Sequence, residues 1–258
     1  MKIICLNTWG GRAGKETLLG FFRKYRNEAD IFCLQEVWTD RYDGLEGKLA
    51  GGVPISNDHI MTHAFQDIGA ALPDYAAYFR PSFFEHYGLC MFIRKSLAVS
   101  EEGDVFVHRE RGHVPEGDVG EHARNLQYAT LNRDGMHLTV MNFHGLWNGK
   151  GKGDCDERLE QSDRIIDFVR SRTEPFVLCG DFNLTPETES LQKLERVGLR
   201  NLIAEYGITD TRTSLYKKPL RYADYAFVSE GVEVEDFKVL PDEVSDHAPL
   251  YIAIGDAG

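Results

Sequence analysis

Apolar residues fall along this chain in short unbroken runs, and several of those runs stop at a polar side chain. Lys2 to Trp9, Asp30 to Trp38 and Pro175 to Asn183 are the clearest. Runs of this length, bounded by glycine or polar residues, read as strands buried on both faces. Between the first two, Leu18, Phe22, Tyr25 and Ala29 recur at helical spacing, which predicts a helix over residues 15 to 29. The first unit is therefore strand, helix, strand.

Downstream the pattern changes. A weakly apolar stretch from Ile60 to Leu72 is placed as a helix, and Tyr75 to Arg80, Gly88 to Arg94 and Ala98 to Val107 read as antiparallel strands. Residues 108 to 122 form a polar loop. Arg124 to Leu131 and His137 to Phe143 are predicted strands joined by a hairpin at Asn132-Arg133-Asp134-Gly135. A helix over about 157 to 171, with Ser162, Ile165, Ile166 and Val169 inward, leads into the run that ends at Asp181. A short helix near 187 to 197 stops at Gly198, and two last strands are expected at Tyr222 to Ser229 and Ser245 to Ile254. The order helix, buried strand, acidic end occurs at both Glu36 and Asp181, which predicts two similar halves packed face to face. No linker-like break or short repeat interrupts the 258 residues, so residues 1–258 are expected to form a single domain.

Composition narrows the class. With 42% hydrophobic residues the chain can build a sizeable core. No apolar run approaches the about 18 residues of a membrane helix, and Met1-Lys2 leads directly into a strand-like run. A cytoplasmic monomer without stable membrane association is expected. Five cysteines lack CxxC spacing; Cys5, Cys33 and Cys179 lie in apolar runs and read as buried reduced thiols, with Cys155 the most exposed. A net charge of -12 argues against a surface that holds long nucleic acid electrostatically. Local basic lips remain at Lys150-Gly151-Lys152 and at Arg212, Lys217, Lys218 and Arg221, where Tyr216 and Tyr222 supply stacking faces.

Candidate chemistry lies at the strand ends. Asp181 and Asn183, two residues apart, share a face if the chain is extended, and such a pair at the end of a buried strand costs desolvation energy unless it serves a ligand. Asn7, Glu36, His144, Asp224 and Asp246 with His247 occupy five further strand edges. One such residue reads as a cap or turn; six sites across the chain read as one convergent site. Oxygen donors Asn7, Glu36 and Asp246 suit a hard cation, Mg²⁺ or Mn²⁺, and not structural zinc. An Asp–His pair can orient or activate water. No phosphate-binding GxxxxGK[ST] loop, dinucleotide fingerprint or GxSxG elbow is present.

Leu6-Asn7-Thr8-Trp9, Leu34-Gln35-Glu36-Val37, Asn142-Phe143-His144-Gly145, Gly180-Asp181-Phe182-Asn183, Asp224-Tyr225-Ala226-Phe227-Val228 and Ser245-Asp246-His247 together resemble the ordered motif set of the endonuclease/exonuclease/phosphatase superfamily. The resemblance runs end to end. It implies a four-layer α/β sandwich, two packed mixed β-sheets flanked by helices, and a metal-dependent hydrolase of phosphoric esters. It further implies that Glu36 is the principal Mg²⁺ ligand, with Asn7 and Asp246 helping directly or through water. Asp181 positions or deprotonates the attacking water and Asn183 hydrogen-bonds the phosphate. His247, oriented by Asp224, contacts the scissile phosphate, and His144 donates to a phosphate or leaving-group oxygen. Either Asp181 or His247 can be the base.

Smaller expectations attach to other residues. Arg124 reads equally as a substrate-phosphate ligand or as half of a surface ion pair. Trp9, Trp38 and Trp147 line the mouth of the site or pack in the core. Phe83-Phe84 is a candidate apolar contact, and His59 and His63 are read as surface residues. The expected activity is phosphodiester hydrolysis of a nuclease type, with nucleic acid among the candidate substrates. The alternatives are a phosphomonoesterase, a lipid phosphodiesterase and a catalytically silent binding protein.

Overall fold

The computed structural model describes residues 1–133 and 136–255. The chain begins with β1 (Lys2–Asn7), α1 (Lys15–Tyr25) and β2 (Ile31–Trp38), then a short hairpin, β3 (Leu49–Ala50) and β4 (Val53–Pro54), and α2 (Ala64–Ala71). Five long strands follow: β5 (Tyr75–Phe83), β6 (Tyr87–Arg94), β7 (Ala98–His108), β8 (Arg124–Arg133) and β9 (Met136–His144). The last third holds α3 (Asp156–Arg170), β10 (Phe176–Asp181), α4 (Glu189–Arg196), β11 (Arg200–Asn201), α5 (Leu202–Glu205), β12 (Asp224–Val228), β13 (Val234–Val239) and β14 (Leu250–Ile254).

These strands form two six-stranded mixed sheets, in the orders β13-β14-β1-β2-β6-β5 and β11-β12-β10-β9-β8-β7. Each sheet has one central parallel pair, β1 with β2 and β9 with β10, joined by a crossover helix and flanked by antiparallel strands. The alternation of side chains sorts the core. In the first sheet Ile3, Cys5, Ile31, Cys33 and Met91 face the second sheet, while Ile4, Leu6, Phe32, Leu34 and Phe92 meet Leu18, Phe22, Ala64 and Ile68 of the outer helices. On the other side α3 packs with α4 and β7, burying Ser162, Ile165, Ile166 and Val169. The predicted four-layer sandwich of two similar halves is what the chain forms.

Polar side chains stitch the sheets together. Asn142 on β9 donates to the carbonyls of Leu34 at 2.9 Å and Cys90 at 3.3 Å and to Gln127 Oε1 at 3.1 Å, while its own oxygen accepts from Gln35 Nε2 at 2.6 Å. Gln127 on β8 in turn donates to the Tyr78 carbonyl on β5. All three side chains are buried.

Several boundaries differ from the sequence reading. The first helix ends at Tyr25, four residues early, though Ala29 remains buried. The stretch read as a strand from Ser245 starts only at Leu250, because Pro249 has no N–H for the ladder; His247 makes only an isolated bridge to Arg212. β13 was absent from the prediction, since its edge position exposes Glu235 and Lys238 and a register shift at Val234/Asp236 breaks the period-2 pattern. The expected Asp134-Gly135 turn lies outside the described residues.

Replacing Asn142 with alanine strands Gln35 and two backbone carbonyls between the sheets, and should cost about 2–3 kcal/mol. Urea unfolding measures this, and an unchanged midpoint would show that the seam does not hold the sheets.

Candidate functional site

Register alone brings half of the site together. Asp181 pairs with His144 on one side and Asp224 on the other, so three neighbouring strand ends carry these side chains in one row. Gly180 permits it: a Cβ there would stand 2.0 Å from the Phe143 carbonyl oxygen. Across the gap, Asn7 lies at the end of β1 opposite Gln35.

Glu36 breaks the alternation. Leu34 points to the outer helices, so Glu36 in regular strand would do the same. Instead the β2–β6 register shifts between Leu34 and Val37, and Glu36 takes a left-handed φ of 58° that turns it toward the second sheet. Thr8 clamps this bulge by donating its hydroxyl to the carbonyls of Gln35 and Glu36, both at 3.0 Å. Asn183 needs a related correction. The strand ends at Asp181, and Asn183 has φ 55°, so the pair does not share an extended face. A tight turn closed by Asn183 N–H donating to Asp181 Oδ1 at 2.9 Å keeps them together, and Asn183 Nδ2 reaches the Gly145 carbonyl.

All eight expected residues converge. Asn7 Nδ2 donates to Glu36 Oε1 at 3.1 Å and Asp181 Oδ2 at 2.9 Å, bridging carboxylates of the two sheets. His247 Nδ1 sits 2.8 Å from Asp224 Oδ1, and its Nε2 lies 3.5 Å from Asp181 Oδ2 and 3.7 Å from Asp246 Oδ1. His144 Nε2 stands 3.7 Å from Asp181 Oδ2 and 4.0 Å from Glu36 Oε1. These last separations exceed direct hydrogen bonds, and a ligand oxygen lying to the side of such a pair would reach both of its atoms. Asp181, Asp224 and His247 offer ligand atoms within 4.8 Å of one another.

Burial dominates the electrostatics. It raises the pKa of Glu36 against the opposing pull of Arg12, raises that of Asp246, and pushes Asp224 up to about 7. It holds His144 well below its usual value, with Arg124 adding to the effect, and brings His247 down to about 4. The His247 ring is therefore neutral near pH 7, with Nδ1–H toward Asp224 and the Nε2 lone pair toward Asp181.

A hard cation fits this donor set. Glu36 is aimed into the gap, and Asp246 Oδ1 is buried with no hydrogen-bond partner among the described residues, an acceptor awaiting a donor or a metal. Asn7 Oδ1 accepts from Trp9 N–H at 2.9 Å, so a direct bond from Asn7 to a cation would require its amide to turn over.

Cations surround the carboxylates. Arg124 is buried, which removes the surface ion pair; one Nη donates to the Gly120 carbonyl, while Nε and Nη1 have no partner among the described residues. Two residues assigned to surface lips turn inward. Lys152 is 3% exposed and Arg212 is 7% exposed, the latter donating to Asp246 Oδ2 at 3.1 Å. The available signal for Arg212 was its flanking Thr211 and Thr213, whose period-2 spacing marks a segment that pairs beside His247. Lys152 carried none, because a loop lysine reads as solvated. Trp38 and Phe83 are core residues, Phe84 packs on Tyr42, and Trp9 and Trp147 are half-buried. His59 and His63 are exposed as expected; Cys155 is half-buried, and the other four thiols are buried.

A two-sheet α/β sandwich with carboxylates, a His–Asp pair and in-turned cations along one edge defines a class of phosphoester hydrolases. The chain belongs to the endonuclease/exonuclease/phosphatase family, whose model matches residues 4–247. Members of this family hydrolyse phosphoester bonds and generally use a divalent metal. The fold is similar to that of a mannosyl-6-phosphatase of Bacteroides thetaiotaomicron, at 18% identity and TM-score 0.75, covering 99% of this chain and 100% of that one. It is also similar to truncated Caenorhabditis elegans TDP2, at 15% identity and TM-score 0.63, covering 98% and 96%. A UPF0294 protein of Yersinia pseudotuberculosis is 32% identical over 122 residues, which is 46% of this chain and 43% of that protein. The chain thus spans less than half the length of that curated relative. No helix among the described residues is long and apolar enough to cross a membrane.

Two further histidines report on the Arg124 neighbourhood. Burial, reinforced by Arg124, brings His108 down to about 4 and His122 well below its ordinary value. A free histidine titrates near about 6.5, so below that pH the unfolded chain binds protons that the fold refuses. Stability present above about 6.5 should be lost as pH falls toward 4. His108→Asn should flatten the fall of melting temperature across this window; a slope equal to the parent protein's would refute the assignment.

Proposed function

We propose that the chain hydrolyses a phosphoric ester by in-line attack of water, with Mg²⁺ or Mn²⁺ as cofactor. The observation that carries this reading is the gap bounded by Glu36, Asp181, His144 and His247, whose facing atoms stand 3.5 to 4.0 Å apart. A bound cation would be held by Glu36 and Asp246 and would supply charge neutralisation at the phosphate oxygens. Asn7 keeps Glu36 and Asp181 at a fixed separation.

The protein's own groups do the rest. Asp181 Oδ2 and His247 Nε2 stand 3.5 Å apart, so one water lying to the side of the line between them can hydrogen-bond both, and either accepts its proton as the water oxygen attacks phosphorus. Asp224 fixes the tautomer in which Nε2 carries the lone pair. The bond from phosphorus to the ester oxygen breaks on the opposite side, and His144 donates a hydrogen bond to that oxygen or to a phosphate oxygen. Asn183 and Arg124 add donors to the phosphate, Arg124 through its unpaired Nε and Nη1.

The motif set favours a phosphodiester of the nuclease type. A second reading, hydrolysis of a phosphomonoester, outweighs the motif set on one observation, the buried cations Lys152 and Arg212 close to Asp246.

Bis-(p-nitrophenyl) phosphate and p-nitrophenyl phosphate test the activity directly. Turnover of either should require Mg²⁺ or Mn²⁺ and stop with chelator; turnover without metal would falsify the scheme. Asp181→Asn and His247→Ala should each lower kcat by about 10³-fold or more while circular dichroism stays unchanged. A near-normal rate in either variant removes that residue from the reaction.

A further inference from the structure

We propose that Lys152 and Arg212, set against the ring of Tyr216, form an anion subsite that grips the free oxygens of a terminal phosphate and selects phosphomonoesters over phosphodiesters. This deepens the phosphoesterase reading and rests on it.

Placement comes first. Arg212 lies in the segment bridged to His247, with Thr213 N–H donating to the Asp246 carbonyl and Ala248 N–H to the Thr211 carbonyl. Its side chain is thereby fixed at the His247 edge of the gap. The loop carrying Lys152 is tied to the exit of β10, because Thr185 N–H donates to the Lys152 carbonyl at 3.0 Å. Both cations rest on one ring: Arg212 Cζ is 4.2 Å and Lys152 Nζ 5.2 Å from the Tyr216 centroid. Tyr216 is thus occupied as a platform for two cations, which replaces its expected role as a stacking face for a base.

Buried lysine and arginine are rare unless an anion meets them. Arg212 spends one Nη1 bond on Asp246, and its Nε is buried with no partner. The Lys152 ammonium has one hydrogen bond among the described residues, to the Tyr222 carbonyl at 2.5 Å, and no carboxylate partner there. Two buried cations therefore face the site with N–H donors that no direct partner takes. Burial first, and Arg212 second, hold Lys152 down to about 8 against the opposing pull of Asp181, Asp224 and Asp246.

The chemistry of the substrate then decides the class. A phosphate diester carries one negative charge, and its second ester arm occupies a position where a monoester has a free oxygen. A monoester is nearly dianionic at pH 7 to 8, because its second pKa lies near about 6. The additional charge sits on terminal oxygens, where fixed N–H donors of a buried ammonium and guanidinium reward it most. An inward cation pair is poorly suited to tracking a long backbone, which wants exposed charge along a groove.

The test compares p-nitrophenyl phosphate with bis-(p-nitrophenyl) phosphate in Mg²⁺ buffer and measures binding of inorganic phosphate by calorimetry. The unmodified protein should have the higher kcat/KM on the monoester. Lys152→Met should reduce that preference by about tenfold or more and weaken phosphate binding to a similar degree. Should methionine prevent folding, Lys152→Gln takes its place. A diester preference in the unmodified protein, or a preference and phosphate affinity untouched by loss of Lys152, overturns the subsite. If neither ester is turned over, the esterase reading fails by itself, and phosphate binding still decides: dependence on Lys152 sustains the subsite, and independence removes it.

Discussion

The hydrogen bond from Gln35 to Asn142 holds the rest of the structure in register. Two sheets packed through apolar side chains alone can slide by fractions of a residue, since dispersion contacts are non-directional. A carboxamide pair in a low-dielectric seam cannot, because each displaced donor or acceptor is left buried and unpaired. Asn142 bonds to β2, β6 and β8 at once, and Gln35 sits one residue before Glu36. The same anchor on the other sheet lies two residues before His144. Any slip of the seam would appear directly as a change in the distances between Glu36, His144 and Asp181.

Local strain is concentrated in the same place. Five non-glycine residues among those described have left-handed backbone, and Trp9, Glu36 and Asn183 are three of them. Left-handed geometry costs a residue of this kind of order 1 kcal/mol or more, and it persists only where surroundings over-determine it. At Glu36 the Thr8 clamp and the Asn7 bridge do so; at Asn183 the bond to Asp181 does. The strain delivers a side chain to a face that regular strand would deny it.

This explains which parts of the site the sequence made legible. Strand ends were readable because an apolar run that stops at Asp181, begins at Asp224 or carries Glu36 near its end leaves few other places for the charge. The face of Glu36 was not, since period-2 counting sends it outward and only the bulge brings it back. Gln35 and Asn142 stand inside motifs that carry chemistry, yet they serve the seam; their residue types fit either role. Lys152 was invisible as a buried cation because loop composition says nothing about burial, Arg212 had only the spacing of Thr211 and Thr213 to mark it, and β13 was lost because an edge strand carries alternation on one face only. Local pattern reports what a segment wants to bury. It reports poorly on charges buried for the sake of a neighbour.

Both signs of charge are buried in this site, and each is under-compensated in a different way. Burial raises Glu36, Asp224 and Asp246, the response of carboxylates short of positive charge. Burial also lowers Arg124 and Lys152, against the pull of the nearby carboxylates. Direct pairing of the two sets would have relieved both, as Arg212 with Asp246 partly does. Elsewhere the scaffold keeps them apart: Asn7 joins Glu36 to Asp181, the Gly120 carbonyl takes Arg124, and the Tyr222 carbonyl takes Lys152. A site that wanted only a metal would need the carboxylates, and one that wanted only an anion would need the cations. Holding both apart in one gap is the arrangement complementary to a cation and a phosphate bound side by side.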